Sequence, residues 1–139
     1  MSICKLTERD MCHLYSIDDD KIQHFIIKTL CDNTPEVTRQ EHFLEAETAL
    51  QRLTDLKSAT LELPDVILLD LNMPGMDGWG FLASYQKVLP EIKKKIKVII
   101  LSSSASKMEK SRSMDFPFVT GYLTKPVTLE TIQTILSVV

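Results

Sequence analysis

The sequence predicts an α/β domain built on a parallel sheet. Two observations carry this reading. Short runs around Val66–Leu71 (VILLDL) and Val98–Leu101 (VIIL) are too short for helices, and their apolar residues follow one another without alternation. A parallel strand covered on both faces reads that way. Between such runs lie stretches with apolar residues at helical spacing. The composition agrees: 139 residues, 44% hydrophobic and 25% charged, suit one domain. A domain of that size buries enough surface to fold without disulfide or metal.

The first strand is expected at Cys12–Ile17 (CHLYSI), running into Asp18-Asp19-Asp20. The first helix follows, with Ile22, Phe25, Ile26 and Leu30 at i, i+3, i+4 and i+8 as its apolar face. The alternation then requires a second strand around Glu36–His42. Only Val37 is apolar there before Phe43, which suits an edge strand with one wet side. Ala46, Ala49, Leu50 and Leu53 mark the second helix. The third strand reaches Asp70 and meets the turn residues Asn72, Pro74, Gly75 and Gly78. Phe81, Leu82, Tyr85, Val88 and Leu89 line the third helix. The fourth strand ends in Ser102-Ser103-Ser104, before a weakly amphipathic helix around Ser106–Met114. The fifth, Val119–Leu123, ends in Thr124-Lys125-Pro126, and Leu129, Ile132, Ile135, Leu136 and Val139 give the last helix its face. Right-handed crossovers place helices on both sides of the sheet. With the polar second strand at an edge, the expectation is a flavodoxin-like, doubly wound (βα)5 fold of strand order 2-1-3-4-5. Residues 1–10 are expected to form a mobile extension and residues 11–139 the domain.

A net charge of −3 argues against a broad nucleic-acid surface. The local run Lys93-Lys94-Lys95 reads as a solvated helix end or loop. Cys4, Cys12 and Cys31 are odd in number and form no CxxC pair, so neither a disulfide framework nor a thiolate metal site is expected. No segment approaches the ~18 apolar residues of a membrane span, and the N-terminus lacks a signal core. These points give a cytoplasmic soluble protein with no membrane partner.

Ligands of such sheets bind beyond the carboxyl ends of the strands, near the point where strand order reverses. Those ends collect Asp18, Asp19 and Asp20, then Asp70, then Ser102, then Lys125. Each has an ordinary structural explanation. Aspartates cap helices, asparagines such as Asn72 make turns, and a tyrosine such as Tyr122 suits a strand. Together they point further. Adjacent carboxylates repel, and a hard divalent cation such as Mg²⁺ relieves that repulsion through oxygen ligands. A carboxylate can attack phosphorus, while a metal, an ammonium and a hydroxyl hold the phosphoryl oxygens. The assembled chemistry is phosphoryl transfer.

In combination, SIDDD, LLDLNMPGMDGW, VIILSSS and GYLTKP resemble, in order and spacing, the receiver domain of two-component response regulators. The resemblance runs from about Cys12 to the C-terminus. It implies that Asp70 is the phosphoacceptor, with Asp19 a direct Mg²⁺ ligand and Asp18 acting on the metal mainly through water. It also implies a backbone-carbonyl ligand from Asn72, phosphoryl contacts from Ser102, Ser103 and Lys125, and a switch made of Ser102 and Tyr122. The Lys125–Pro126 bond would be cis. The phosphodonor would be a histidine kinase or histidine phosphotransfer protein. No output domain is expected in this chain, and an unknown downstream protein would dock on the fourth helix, fifth strand and fifth helix. One departure is HFLEAETAL, where family members often carry a glycine before the second helix. A competing reading takes Asp18 and Asp20 as the DxD nucleophile motif of a haloacid-dehalogenase-type phosphatase, and a third takes the chain as a receiver-like module that is never phosphorylated.

Overall fold

The computed structural model describes residues 12–104 and 106–138. The extension expected over residues 1–10, with Cys4, lies outside the described residues, as does Val139, expected on the face of the last helix. Five parallel strands form one sheet of order β2-β1-β3-β4-β5, the order expected from the polar second strand. They are β1 Cys12–Ile17, β2 Val37–Phe43, β3 Val66–Asp70, β4 Lys97–Ser102 and β5 Val119–Thr124. The helices are α1 Lys21–Asp32, α2 Ala46–Asp55, α3 Gly78–Val88, α4 Lys107–Ser113 and α5 Leu129–Val138. A short 3-10 turn, Leu89–Glu91, follows α3.

The period of two along each strand divides the core into two layers. Tyr15, Ile17, Ile67, Leu69, Val98 and Ile100 face α2 and α3, where Ala49, Leu53, Phe81, Leu82 and Tyr85 are buried. Leu14, Val66, Leu68, Ile99 and Leu101 face α1 and α5, where Ile27, Cys31, Ile132 and Ile135 are buried. Each fully buried large aliphatic or aromatic side chain contributes roughly 1.5–3 kcal/mol. That is why the central strands are apolar on both faces. In β2 only Val37 is buried, and Arg39 and Glu41 reach outward to Glu62 and Arg52. Cys12 and Cys31 are free and buried. Burial pushes the Cys12 thiol up to about 12 and the Cys31 thiol up to about 11.

The apolar face expected for α1 is corrected. Ile22 and Phe25 are 71% and 69% exposed, while the buried residues of α1 are Gln23, His24, Ile27 and Cys31. The reason lies at the helix start. The Asp20 carboxylate accepts the Ile22 N–H and fixes where the first turn begins. The face presented to the sheet then falls on 24, 27 and 31, with Ile26 and Leu30 only at its flank. The lysine run lies in the loop before β4. Lys93 and Lys95 are exposed, and Lys94 Nζ is 2.9 Å from Asp65 Oδ1.

Candidate functional site

The carboxyl ends of β1, β3, β4 and β5 bring the expected chemistry to one edge of the sheet. Asp18 leaves β1 and Asp70 ends β3; these strands are paired neighbours. Asp18, Asp19 and Asp70 each offer a carboxylate oxygen, and all three oxygens lie within 4.8 Å of one another. Asp18 and Asp70 are 3% and 6% exposed, and Asp19 is open to solvent. Lys125, from the end of β5, reaches across: its Nζ is 2.7 Å from Asp18 Oδ2 and 3.6 Å from Asp70 Oδ1. The Lys125–Pro126 bond is cis.

Three carboxylates and one ammonium leave an excess of negative charge. Burial, and then the Asp18 charge, push the Asp70 carboxyl from 3.8 up to about 6, against the pull of Lys125 and of the Asn72 N–H. Burial alone would lower the Lys125 ammonium, but its bonds to Asp18 and Asp70 outweigh that and raise it. The cluster therefore fits a small divalent cation, whose oxygen ligands commonly include one or two carboxylates. Asp20 does not join it, since its side chain is engaged at the α1 N-terminus.

The β3–α3 turn shapes the floor of the site. Gly75 has φ 72°, in the left-handed region that favours glycine. At Gly78, an added Cβ would sit 2.6 Å from the Asp70 carbonyl oxygen and 2.6 Å from Leu71 Cα. Only glycine lets the start of α3 lie so close to Asp70. Asn72 is exposed in this turn.

The fourth strand supplies a second cluster. Ser102 is fully buried, and its Oγ donates to Glu109 Oε1 at 2.6 Å. Ser103 is exposed beside it. The Tyr122 hydroxyl lies 2.6 Å from the same Glu109 oxygen and 2.7 Å from the Ser104 carbonyl oxygen. Glu109 was not legible as a site residue. Ser106 and Glu109 stand at the N-cap and third positions of α4, a pattern in which the glutamate usually bonds back to the cap N–H. Here the Ser106 N–H donates to Ser104 Oγ instead, and Glu109 is left for Ser102 and Tyr122.

His24 was also missed, because hydrophobic periodicity gives no signal for a buried imidazole. Its Nε2 lies 2.6 Å from the Asp18 carbonyl oxygen and 3.0 Å from that of Phe43. Its Nδ1 lies 3.2 Å from Ser16 Oγ and 3.1 Å from His42 Nδ1. Burial, then the neighbouring His24 and Lys28, lower the His42 imidazole to about 4.

A doubly wound five-stranded sheet with an acidic cluster and a lysine at its carboxyl edge defines a class of α/β domain with ligands for a cation beside an ammonium that can hold an anion. Comparison specifies it further. The family model for the response regulator receiver domain matches residues 14–137, and the chain belongs to that family. A curated relative, the sensor histidine kinase CheAY of Helicobacter pylori, is 32% identical over 120 residues, covering 86% of this chain and 14% of the relative. The chain spans between 14% and 29% of the length of the curated relatives it matches. Among solved structures, a two-component response regulator from Cytophaga hutchinsonii superposes with TM-score 0.82 at 26% identity, covering 91% of this chain and 96% of its own. The chemotaxis protein CheY4 of Vibrio cholerae gives TM-score 0.70 at 27% identity, covering 93% and 98%. No described helix is long and apolar enough to cross a membrane.

Proposed function

We propose that Asp70 accepts a phosphoryl group from a phosphohistidine on a histidine kinase or histidine phosphotransfer protein. The observation that carries this reading is the meeting of the Asp18, Asp19 and Asp70 carboxylates with the Lys125 ammonium at one sheet edge. Asp18, Asp19, Asp70 and the Asn72 carbonyl would hold Mg²⁺. When bound, the ion neutralises the carboxylates and the phosphoryl oxygens.

An Asp70 carboxylate oxygen attacks phosphorus, the donor's P–N bond breaks, and its electron pair returns to the imidazole. Lys125 counters charge on the transferred group. Ser102 gives up its bond to Glu109 and turns its hydroxyl to a phosphoryl oxygen, with Ser103 alongside. That exchange frees part of the Glu109 carboxylate, which also holds Tyr122. The change thus passes to α4, β5 and α5, where an unknown downstream protein would dock. A groove of about 320 Å³, lined in part by Lys110, Met114, Tyr122 and Val138, lies on that face. In this reading the domain is a signalling phosphoacceptor that catalyses its own phosphorylation and dephosphorylation, in the cytoplasm, with no direct nucleic-acid or membrane contact. Incubation with acetyl phosphate and Mg²⁺ is expected to add the mass of one phosphoryl group to the intact protein. An unmodified mass under conditions that phosphorylate a known receiver would overturn the reading.

A further inference from the structure

We propose that His24 is a positioning residue for the acidic pair, tying the Asp18 carbonyl to the Phe43 carbonyl and so setting the turn that presents Asp18 and Asp19 to a divalent cation. The inference rests on the reading of those aspartates as metal ligands.

The tautomer follows from the partners. Two carbonyl oxygens can only accept, so Nε2 carries a proton and donates to Asp18 at 2.6 Å, with Phe43 at 3.0 Å as the second acceptor. This holds whatever the state of Nδ1. The other ring nitrogen faces Ser16 Oγ at 3.2 Å, a hydroxyl that can donate or accept. Ser16 and the two carbonyls thereby set the orientation of the His24 ring, which is itself buried.

The rest of Asp18 is equally constrained. Its N–H donates to the Phe43 carbonyl, its Oδ1 accepts the Asp20 N–H at 3.0 Å, and its Oδ2 accepts Lys125. The His24 bond is the one that holds the carbonyl, at the junction where β1 stops and the acidic run begins. Without it the Asp18 and Phe43 carbonyls each lose a buried donor, at a site where the peptide plane sets the direction of the Asp19 backbone. Hydrogen-bond partners of metal-ligating residues typically change metal affinity by about 10–100-fold when removed.

The test compares His24→Leu, His24→Gln and Ile27→Val, with Mg²⁺ binding read by calorimetry and folding by thermal denaturation. Leucine removes the donor, while the glutamine amide places an N–H near the Nε2 position. Ile27 is buried on the same helix in an apolar cluster with Leu14, Cys31 and Leu68, so its variant reports simple loss of packing. His24→Leu is expected to weaken Mg²⁺ about tenfold. His24→Gln should recover most of that loss, and Ile27→Val should bind as the wild type does. Equal Mg²⁺ affinity in His24→Leu and wild type would overturn the inference, and so would a loss in His24→Leu that glutamine does not recover. Because the readout is metal binding, the result is independent of whether Asp70 takes up phosphate, which the acetyl phosphate experiment decides separately.

Discussion

Asp70 holds its charge against its surroundings. Its carboxyl is raised from 3.8 to about 6, so between those values the folded protein binds more protons than the unfolded chain. Stability therefore falls as pH rises through that window, and the cost persists at neutral pH. In the absence of divalent ions, Asp70→Asn is expected to stabilise the protein by about 1–3 kcal/mol near pH 7. The gain should disappear as pH falls below the unfolded-state value, where both forms are neutral. Denaturant melts across that range read the sign directly. Glu109 makes a second residue-level prediction. Its carboxylate holds the Ser102 hydroxyl at 2.6 Å, a charge-assisted bond that must break before Ser102 can turn to a phosphoryl group. Glu109→Gln weakens that bond, and phosphorylation by acetyl phosphate is expected to speed about fivefold, the worth of roughly 1 kcal/mol. Stopped-flow fluorescence of Trp79, the single tryptophan, gives the rate; a slower rate would mean that Glu109 assists the switch.

At the scale of elements, the β3–α3 turn is the tightest joint. A Cβ at Gly78 meets two backbone atoms at 2.6 Å, neither of which can rotate away as a side chain would. Gly78→Ala is expected to destabilise the fold by about 1–3 kcal/mol, measured in urea. It should weaken Mg²⁺ binding as well, since the displaced backbone carries Asp70. The central strands and the faces of α2 and α3 were legible in the sequence because their buried positions are apolar. The face of α1 was not. Two of its four buried positions are Gln23 and His24, and hydrophobic periodicity cannot see a buried imidazole that is satisfied by backbone carbonyls. Ile22 and Phe25, apolar yet exposed, pulled the expected face round the helix.

Across the whole molecule, the strand order could be anticipated because a single polar strand, β2, suits only an edge. Once that order is set, Asp18, Asp70, Ser102 and Lys125 have to share one sheet edge. The acidic cluster and its lysine could therefore be read in advance. The contacts made by Glu109 and His24 could not, since both depend on side-chain directions between elements that sequence spacing does not encode. The most direct test of the central claim is where a phosphoryl group resides after incubation with acetyl phosphate and Mg²⁺. Borohydride reduction of an aspartyl phosphate leaves homoserine, which peptide mass spectrometry locates. Homoserine at position 70 alone, absent from Asp70→Asn, is the expected outcome. Homoserine at position 18, or a phosphoryl adduct that persists in Asp70→Asn, would contradict it.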